Sequence, residues 1–298
     1  MMANASFQSN LMRTLKSGDV LQRLLLVNVG LFLLVRITFA ISSLFNYPLF
    51  SFTEVSAWLA IPSNPSQLLL RPWSLFTYMF FHWEFLHLLF NMLWLYWMGA
   101  IILEYLGAKK LFGLYIMGGL FGALAYVVAF NTFPIFAQSV NFSFALGASA
   151  SVLAITVAAA TLLPDYPISL ILIGNVALKW IAAISVLLDV INISGENAGG
   201  HIAHLGGALF GFIYIKSLQR GTNLTKWLEV LSDRLSGKRG KMTVAYKRKK
   251  SDEDFALHKK ATQEQMDDIL DKISKSGYGS LSQSEKDFLF RISKEDQK

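Results

Sequence analysis

Between Leu24 and Ile215 the chain carries only eleven charged side chains: Arg36, Glu54, Arg71, Glu84, Glu104, Lys109, Lys110, Asp165, Lys179, Asp189 and Glu196. A water-soluble fold of that length needs far more, because its outer surface must be held in water. The other charges of this 298-residue chain crowd its two ends. That distribution fits a bundle of helices in lipid flanked by polar termini, and it excludes a soluble globule.

Apolar windows at 22–43, 86–103, 110–130, 147–163, 178–193 and 201–218 give six expected spans. Several are shorter than the ~20 residues that a bilayer core asks for, which suits tilted helices or helices that begin beneath the surface. Six passes put both termini on one side. Arg13, Lys16 and Arg23 precede the first span, Lys109 and Lys110 separate the second from the third, and thirteen Lys and Arg lie between Lys216 and Lys260. The opposite loops, 44–85, 131–146 and 194–200, hold few positive charges. The positive-inside rule therefore predicts a multi-pass protein of the plasma (inner) membrane with N- and C-termini in the cytoplasm. The basic run after the sixth span is assigned to anionic lipid, not to nucleic acid.

The opening "MMANASFQSNLMRTLKSGDV" lacks the short apolar stretch and small-residue cleavage site of a signal peptide, so the first span is expected to stay. Loop 44–85 is aromatic and apolar but broken by prolines, and reads as a segment lying in the membrane interface. The expected organisation is a cytoplasmic N-terminal segment (1–21), a six-helix membrane domain (22–218), a basic linker (219–260) and a small C-terminal helical motif (261–298). That last motif reads as two short helices around a Gly277–Gly279 turn, with Thr262/Gln265 and Ser282/Glu285 at capping-box spacing.

Polar side chains inside a span are costly, so each is a candidate functional group. Three clusters stand out: His87 and Asn91, at i and i+4 on the second span; Gly147 to Ser149, at the start of the fourth; and His201 with His204, at the start of the sixth. Spans two, four and six run in one direction, so the clusters share one depth. Gly147, Ser151 and Ala158 on the fourth span, and Gly207 with Gly211 on the sixth, allow the backbones to approach closely. Gly118 and Gly122 on the third read as packing only. Ser151 lies two residues past Ser149 and faces elsewhere, while His82 and His201 read as loop or supporting residues.

The chain has no cysteine, which excludes a thiol nucleophile and a disulfide framework. "HWEFLH" is not HExxH, since its histidines are five apart, and no metal or other cofactor is expected, although the i, i+3 pair His201/His204 has zinc-binding potential. Arg36, Lys179 and Asp189 are too scattered, without an inverted repeat, to outline a transport path.

Together "HLLFN" (His87 to Asn91), "GASA" (Gly147 to Ala150) and "AHLGGALFG" (Ala203 to Gly211) resemble the rhomboid intramembrane serine proteases, in that family's order, over roughly residues 20–218. The resemblance implies an all-α, six-transmembrane-helix rhomboid-like bundle, to which the sequence itself adds a short helical cytoplasmic tail. It implies a serine endopeptidase that cleaves membrane proteins in or near their transmembrane segments by a Ser–His dyad. Ser149 is then the nucleophile, His204 the base, and Asn91 and His87 the oxyanion donors. Transmembrane substrates and membrane lipid are the implied partners. The alternative is a non-catalytic rhomboid-like protein that binds transmembrane helices; such proteins generally lack the serine or the histidine, and both are present here.

Glu104 sits where the family often has an acid. Two positions depart from the family pattern. Ala150 stands where the family usually writes Gly and is expected to restrict the backbone beside Ser149, and the first loop reads "RPWS", with Arg71 ahead of Trp73. No acid adjoins His204 in sequence; Asp189, near the outer end of the fifth span, is a candidate to orient its imidazole, but a plain Ser–His pair is the expectation.

Overall fold

The computed structural model describes residues 19–45, 51–170, 174–235 and 265–295. Most of the expected N-terminal segment, most of the basic linker and the cap at Thr262 lie outside these residues. The chain divides into two compact units, residues 1–239 and 240–298.

In the first unit, helices α1 (Val20–Leu44), α5 (Phe85–Leu106), α6 (Ala108–Thr132), α7 (Ser149–Leu162), α8 (Leu178–Ile191) and α9 (Ala198–Gln219) lie on the six apolar windows. Among the described residues, α1, α5, α6 and α9 are long and apolar enough to cross a membrane. Helices α7 and α8 have 14 residues each, about 21 Å at 1.5 Å per residue. That is short of a hydrocarbon core of about 30 Å.

Residues between the long helices form α2 (Phe52–Leu59), α3 (Pro65–Leu70) and α4 (Ser74–Thr77), and α10 (Lys226–Leu235) follows α9. A single residue joins α5 to α6. It is Gly107, whose φ of 85° lets the chain reverse where a side chain would be strained.

Small residues set the centre of the bundle. Ala150 and Ala154 of α7 turn their methyl groups toward Gly122 and Gly118 of α6; a Cβ on Gly122 would lie 2.6 Å from that of Ala150, and one on Gly118 would collide with Ala154. On the other side, the carbonyls of Ala150 and Ala154 occupy the space that a Cβ on Gly207 or Gly211 of α9 would need. Two Gly-x-x-x-Gly stripes thus clamp one alanine-rich helix, the kind of close packing that holds helices together where lipid competes equally for apolar surface. Ala150 is accommodated for this reason. It is an ordinary helical residue whose methyl fills the notch at Gly122.

Helix α8 is built differently. It exposes Trp180, Ile184, Leu187, Leu188, Val190 and Ile191, and turns Leu178, Ile181, Ala182 and Asp189 inward.

The first loop is stitched to the segment before α7. Strand β1 (Ile61–Pro62) pairs antiparallel with β2 (Phe144–Ala145), with Ile61 opposite Ala145. Ser63 N–H donates to Ser143 O at 3.1 Å, Ser63 Oγ–H to Val140 O at 2.7 Å, and Asn131 Nδ2–H to Ser63 O at 2.7 Å. "RPWS" keeps both of its marked residues at work in this loop. The Arg71 guanidinium donates to Ala57 O, and the Trp73 indole donates to Trp58 O at 2.9 Å while stacking on the Trp58 ring. A second hairpin, β3 (Pro167–Leu170) with β4 (Gly174–Ala177), links α7 to α8. Neither strand pair is anticipated by the hydropathy pattern.

The second unit contains α11 (265–276), a 3-10 turn at Tyr278–Ser280 and α12 (Gln283–Glu295). Ser282 caps α12 reciprocally: its N–H donates to Glu285 Oε2 at 2.6 Å, and Glu285 N–H returns to Ser282 Oγ at 3.4 Å. Lys272 of α11 bonds Glu285 Oε1 at 2.9 Å.

Candidate active site

The approach to α7 is fixed by two backbone hydrogen bonds. Gly147 N–H donates to Tyr78 O at 2.9 Å, and Ala148 N–H donates to His82 Nε2 at 3.2 Å. Gly147 has a φ of 112°, which disfavours any side chain. A Cβ there would also lie 2.7 Å from His87 Cε1. His82 is fully buried, and burial together with the nearby His87 pushes its pKa down to about 3. It is therefore a neutral imidazole, free to accept from Ala148.

Ser149 is the first residue of α7, so its N–H has no acceptor within the helix. Its Oγ lies 2.6 Å from His204 Nε2 on α9, across the Gly207 seam. The other ring nitrogen, His204 Nδ1, lies 2.9 Å from Asp189 Oδ1 on α8. His201 Nδ1 reaches the same oxygen at 2.7 Å. The Asp189 residue is 7% exposed. Where the sequence leads to the expectation of a plain Ser–His pair, a carboxylate adjoins the far side of the imidazole.

His87, Asn91, Ser149, Asp189 and His204 line one cavity of about 410 Å³, with Phe90, Trp94 and Leu153 in its wall. Asn91 is buried and donates one amide N–H to the His87 carbonyl at 2.8 Å, leaving its second N–H for the cavity. Ser149 and His204 are thus in direct contact, and His87 and Asn91 share their cavity. Ser151 does not: it is buried toward α6, where a Cβ on Gly119 would lie 2.8 Å from its Oγ.

Sequence reasoning underweighted Asp189 and His201. The signal for Asp189 is the stripe Leu178, Ile181, Ala182, Ser185 and Asp189, which places the acid on the inward face of α8. The remaining span charges lie apart from this cavity. Lys179 pairs with Asp165 at 2.6 Å, and Arg36 lies over the Trp83 ring at 4.8 Å; Glu104 is exposed at the far end of α5. Asp189, His201 and His204 also present three ligand atoms within 4.8 Å of one another.

The Rhomboid domain family matches residues 70–220, just over half of the chain and all the residues lining this cavity. The chain belongs to the rhomboid family. Among curated relatives, the rhomboid is 30% identical over 140 residues to presenilin-associated rhomboid-like protein A, mitochondrial, of Danio rerio, covering 46% of this chain and 35% of the relative. It is 28% identical over 159 residues to the rhomboid protease GlpG of Yersinia pseudotuberculosis, covering 53% and 52%. The GlpG of Pectobacterium atrosepticum is 29% identical over 96 residues, covering 32% and 30%. The chain spans about a third to a half of the length of these relatives. Residues 249–295 match a family of unknown function (DUF6576). At family level, then, this rhomboid is a membrane protein related to intramembrane proteases.

Proposed function

We propose that this rhomboid is an intramembrane serine endopeptidase that hydrolyses peptide bonds in or near the transmembrane segments of other membrane proteins. The observation that carries the reading is the 2.6 Å contact between Ser149 Oγ and His204 Nε2, made between two apolar helices. In this reading Ser149 Oγ attacks the scissile carbonyl carbon while its proton passes to His204 Nε2. The carbonyl electrons move onto oxygen, and the oxyanion takes hydrogen bonds from Ser149 N–H, Asn91 Nδ2–H and a His87 ring N–H, each donor lowering the barrier by about 3 kcal/mol. His204 Nε2–H then protonates the leaving amine, the C–N bond breaks, and an acyl-serine remains. Water attacks that ester with His204 again as base, which restores the hydroxyl. No cofactor enters this cycle.

In this reading water reaches the site through the cavity that His204 and Ser149 line. The scissile segment must be extended, because helical peptide bonds are shielded by their own hydrogen bonds. Substrates are therefore membrane proteins whose transmembrane helix unravels near the membrane face under which Ser149 lies. The topology that goes with this reading has six spans in residues 22–218 and both termini cytoplasmic. In it α7 and α8 cross as short helices, and the 219–260 linker meets anionic lipid ahead of the 261–298 motif.

A fluorophosphonate probe tests the chemistry. The wild-type protein in detergent takes covalent label, and Ser149→Ala and His204→Ala do not. Label retained by Ser149→Ala moves the nucleophile elsewhere, and a wild-type protein that takes none favours a non-catalytic rhomboid-like binder. Sequencing the new terminus of a cleaved product locates the cut, and a cut deep on the cytoplasmic side contradicts the substrate geometry.

A further inference from the structure

An acid within an apolar helix is costly in lipid unless its charge is matched by hydrogen-bond donors. Asp189 is one such acid. Its neighbours Leu188 and Val190 are about half exposed, while Asp189 itself is turned into the bundle. Both of its hydrogen-bonding neighbours are imidazoles, three residues apart on α9, so that His201 and His204 present their Nδ1 atoms to one oxygen at 2.7 and 2.9 Å. An ionised carboxylate only accepts hydrogen bonds, so each Nδ1 carries a proton. For His204 this leaves Nε2 with a lone pair, and that is the nitrogen 2.6 Å from Ser149 Oγ. The carboxylate thus selects the tautomer that can take the serine proton.

We propose that Asp189, held in place by His201, is a positioning residue that orients His204 and steadies the imidazolium formed when Ser149 attacks. The inference rests on the reading of Ser149 and His204 as nucleophile and base. When the Ser149 proton reaches Nε2, the imidazolium charge forms 2.9 Å from a carboxylate at the edge of a low-dielectric interior, where a fixed opposite charge acts more strongly than in water. His201 supplies the second donor to Oδ1, so two donors from one helix hold that oxygen in place against His204. His87, which also faces the cavity, is the other titratable group near the pair and contacts neither Asp189 nor His204 by hydrogen bond among the described residues.

The test uses the full-length protein in detergent with a quenched transmembrane peptide. Asp189→Asn is expected to lower kcat by about 10²- to 10⁴-fold, the range spanned by losing the charge alone and by also losing the correct tautomer. KM is expected to stay within about twofold, because Asp189 does not touch substrate in this mechanism. The rate of fluorophosphonate labelling at Ser149 falls in step, and the melting temperature holds. His201→Ala is expected to lower kcat about tenfold, with His201→Gln, which still offers an N–H to Oδ1, recovering most of it. A folded Asp189→Asn protein with kcat within threefold of wild type overturns the proposal, as does a change confined to KM. Should Asp189→Asn fail to fold, the His201 pair decides, and equal kcat in His201→Ala and wild type overturns it. Cleavage that survives Ser149→Ala or His204→Ala sinks the serine-protease reading itself. Loss in those two variants with Asp189→Asn fully active sinks only the role given to Asp189.

Discussion

Helices α7 and α8 have the same length and meet at the same cavity, yet α7 buries ten of its 14 residues and α8 only four. The difference lies in side-chain size. Ala, Ser and Thr on α7 let α6 and α9 close against its backbone, whereas Trp180, Ile184, Leu187 and Leu188 hold much of α8 out of the bundle. The proposed nucleophile therefore rides on a part fixed from both sides, and the acid rides on a part held along one stripe. Such a contrast suits a site whose attacking atom must be placed to a fraction of an ångström, beside a wall that has to yield to a polypeptide.

Overpacking the fixed side should break that contrast most severely. Gly207→Ala drives a methyl into the Ala150 carbonyl, pushes α7 from α9 and parts Ser149 from His204. Cleavage is expected to drop about 10²-fold, measured as kcat on a transmembrane peptide beside the melting temperature. Unchanged kcat would mean that the seam does not set the contact.

Next in size is a pH effect at the foot of α7. His82 is held far below its ordinary value near 6.5, at about 3, so between these values the unfolded chain binds the extra proton. Stability is then full above pH 6.5 and declines as pH falls toward 3, by at most about 1.4 kcal/mol per unit. His82→Gln keeps an acceptor for Ala148 N–H and lacks the titration. From pH 7 to pH 5 the wild type should lose about 2 kcal/mol more than the variant, read from denaturation midpoints in detergent. Parallel pH slopes would remove His82 from the account.

Two smaller changes sharpen the comparison. Ala150→Gly empties the notch at Gly122 and is expected to destabilise by about 1 kcal/mol, mainly through helix propensity, with kcat kept. A large gain in activity would mean that the methyl restrains the nucleophile. Ile184→Ala, on the outward face of α8, should shift stability by less than about 0.5 kcal/mol. A shift of several kcal/mol would show that α8 is anchored through that face.

Much of this was legible in the sequence because length and charge are properties of a window. The apolar runs fall on helices, and the glycine pairs 118/122 and 207/211 mark the contact faces. What stayed hidden depends on rotation and on distant pairing. The stripe in "LKWIAAISVLLDVI" marks the inward face of α8 but not which groups of α9 arrive against it, so the neighbours of Asp189 could not be read off. The roles of His82 and His201 depend on where a backbone N–H and a carboxylate oxygen arrive after folding. Strands of two residues, paired across the length of two spans, leave no periodic trace at all.

The rung between Ile61 and Ala145 ends two residues short of Gly147. A displacement of the 51–63 segment therefore pulls, through this rung, on the residues that lead into α7 and Ser149. In the proposed reading, strain at that segment would reach Ser149 before any bond is broken.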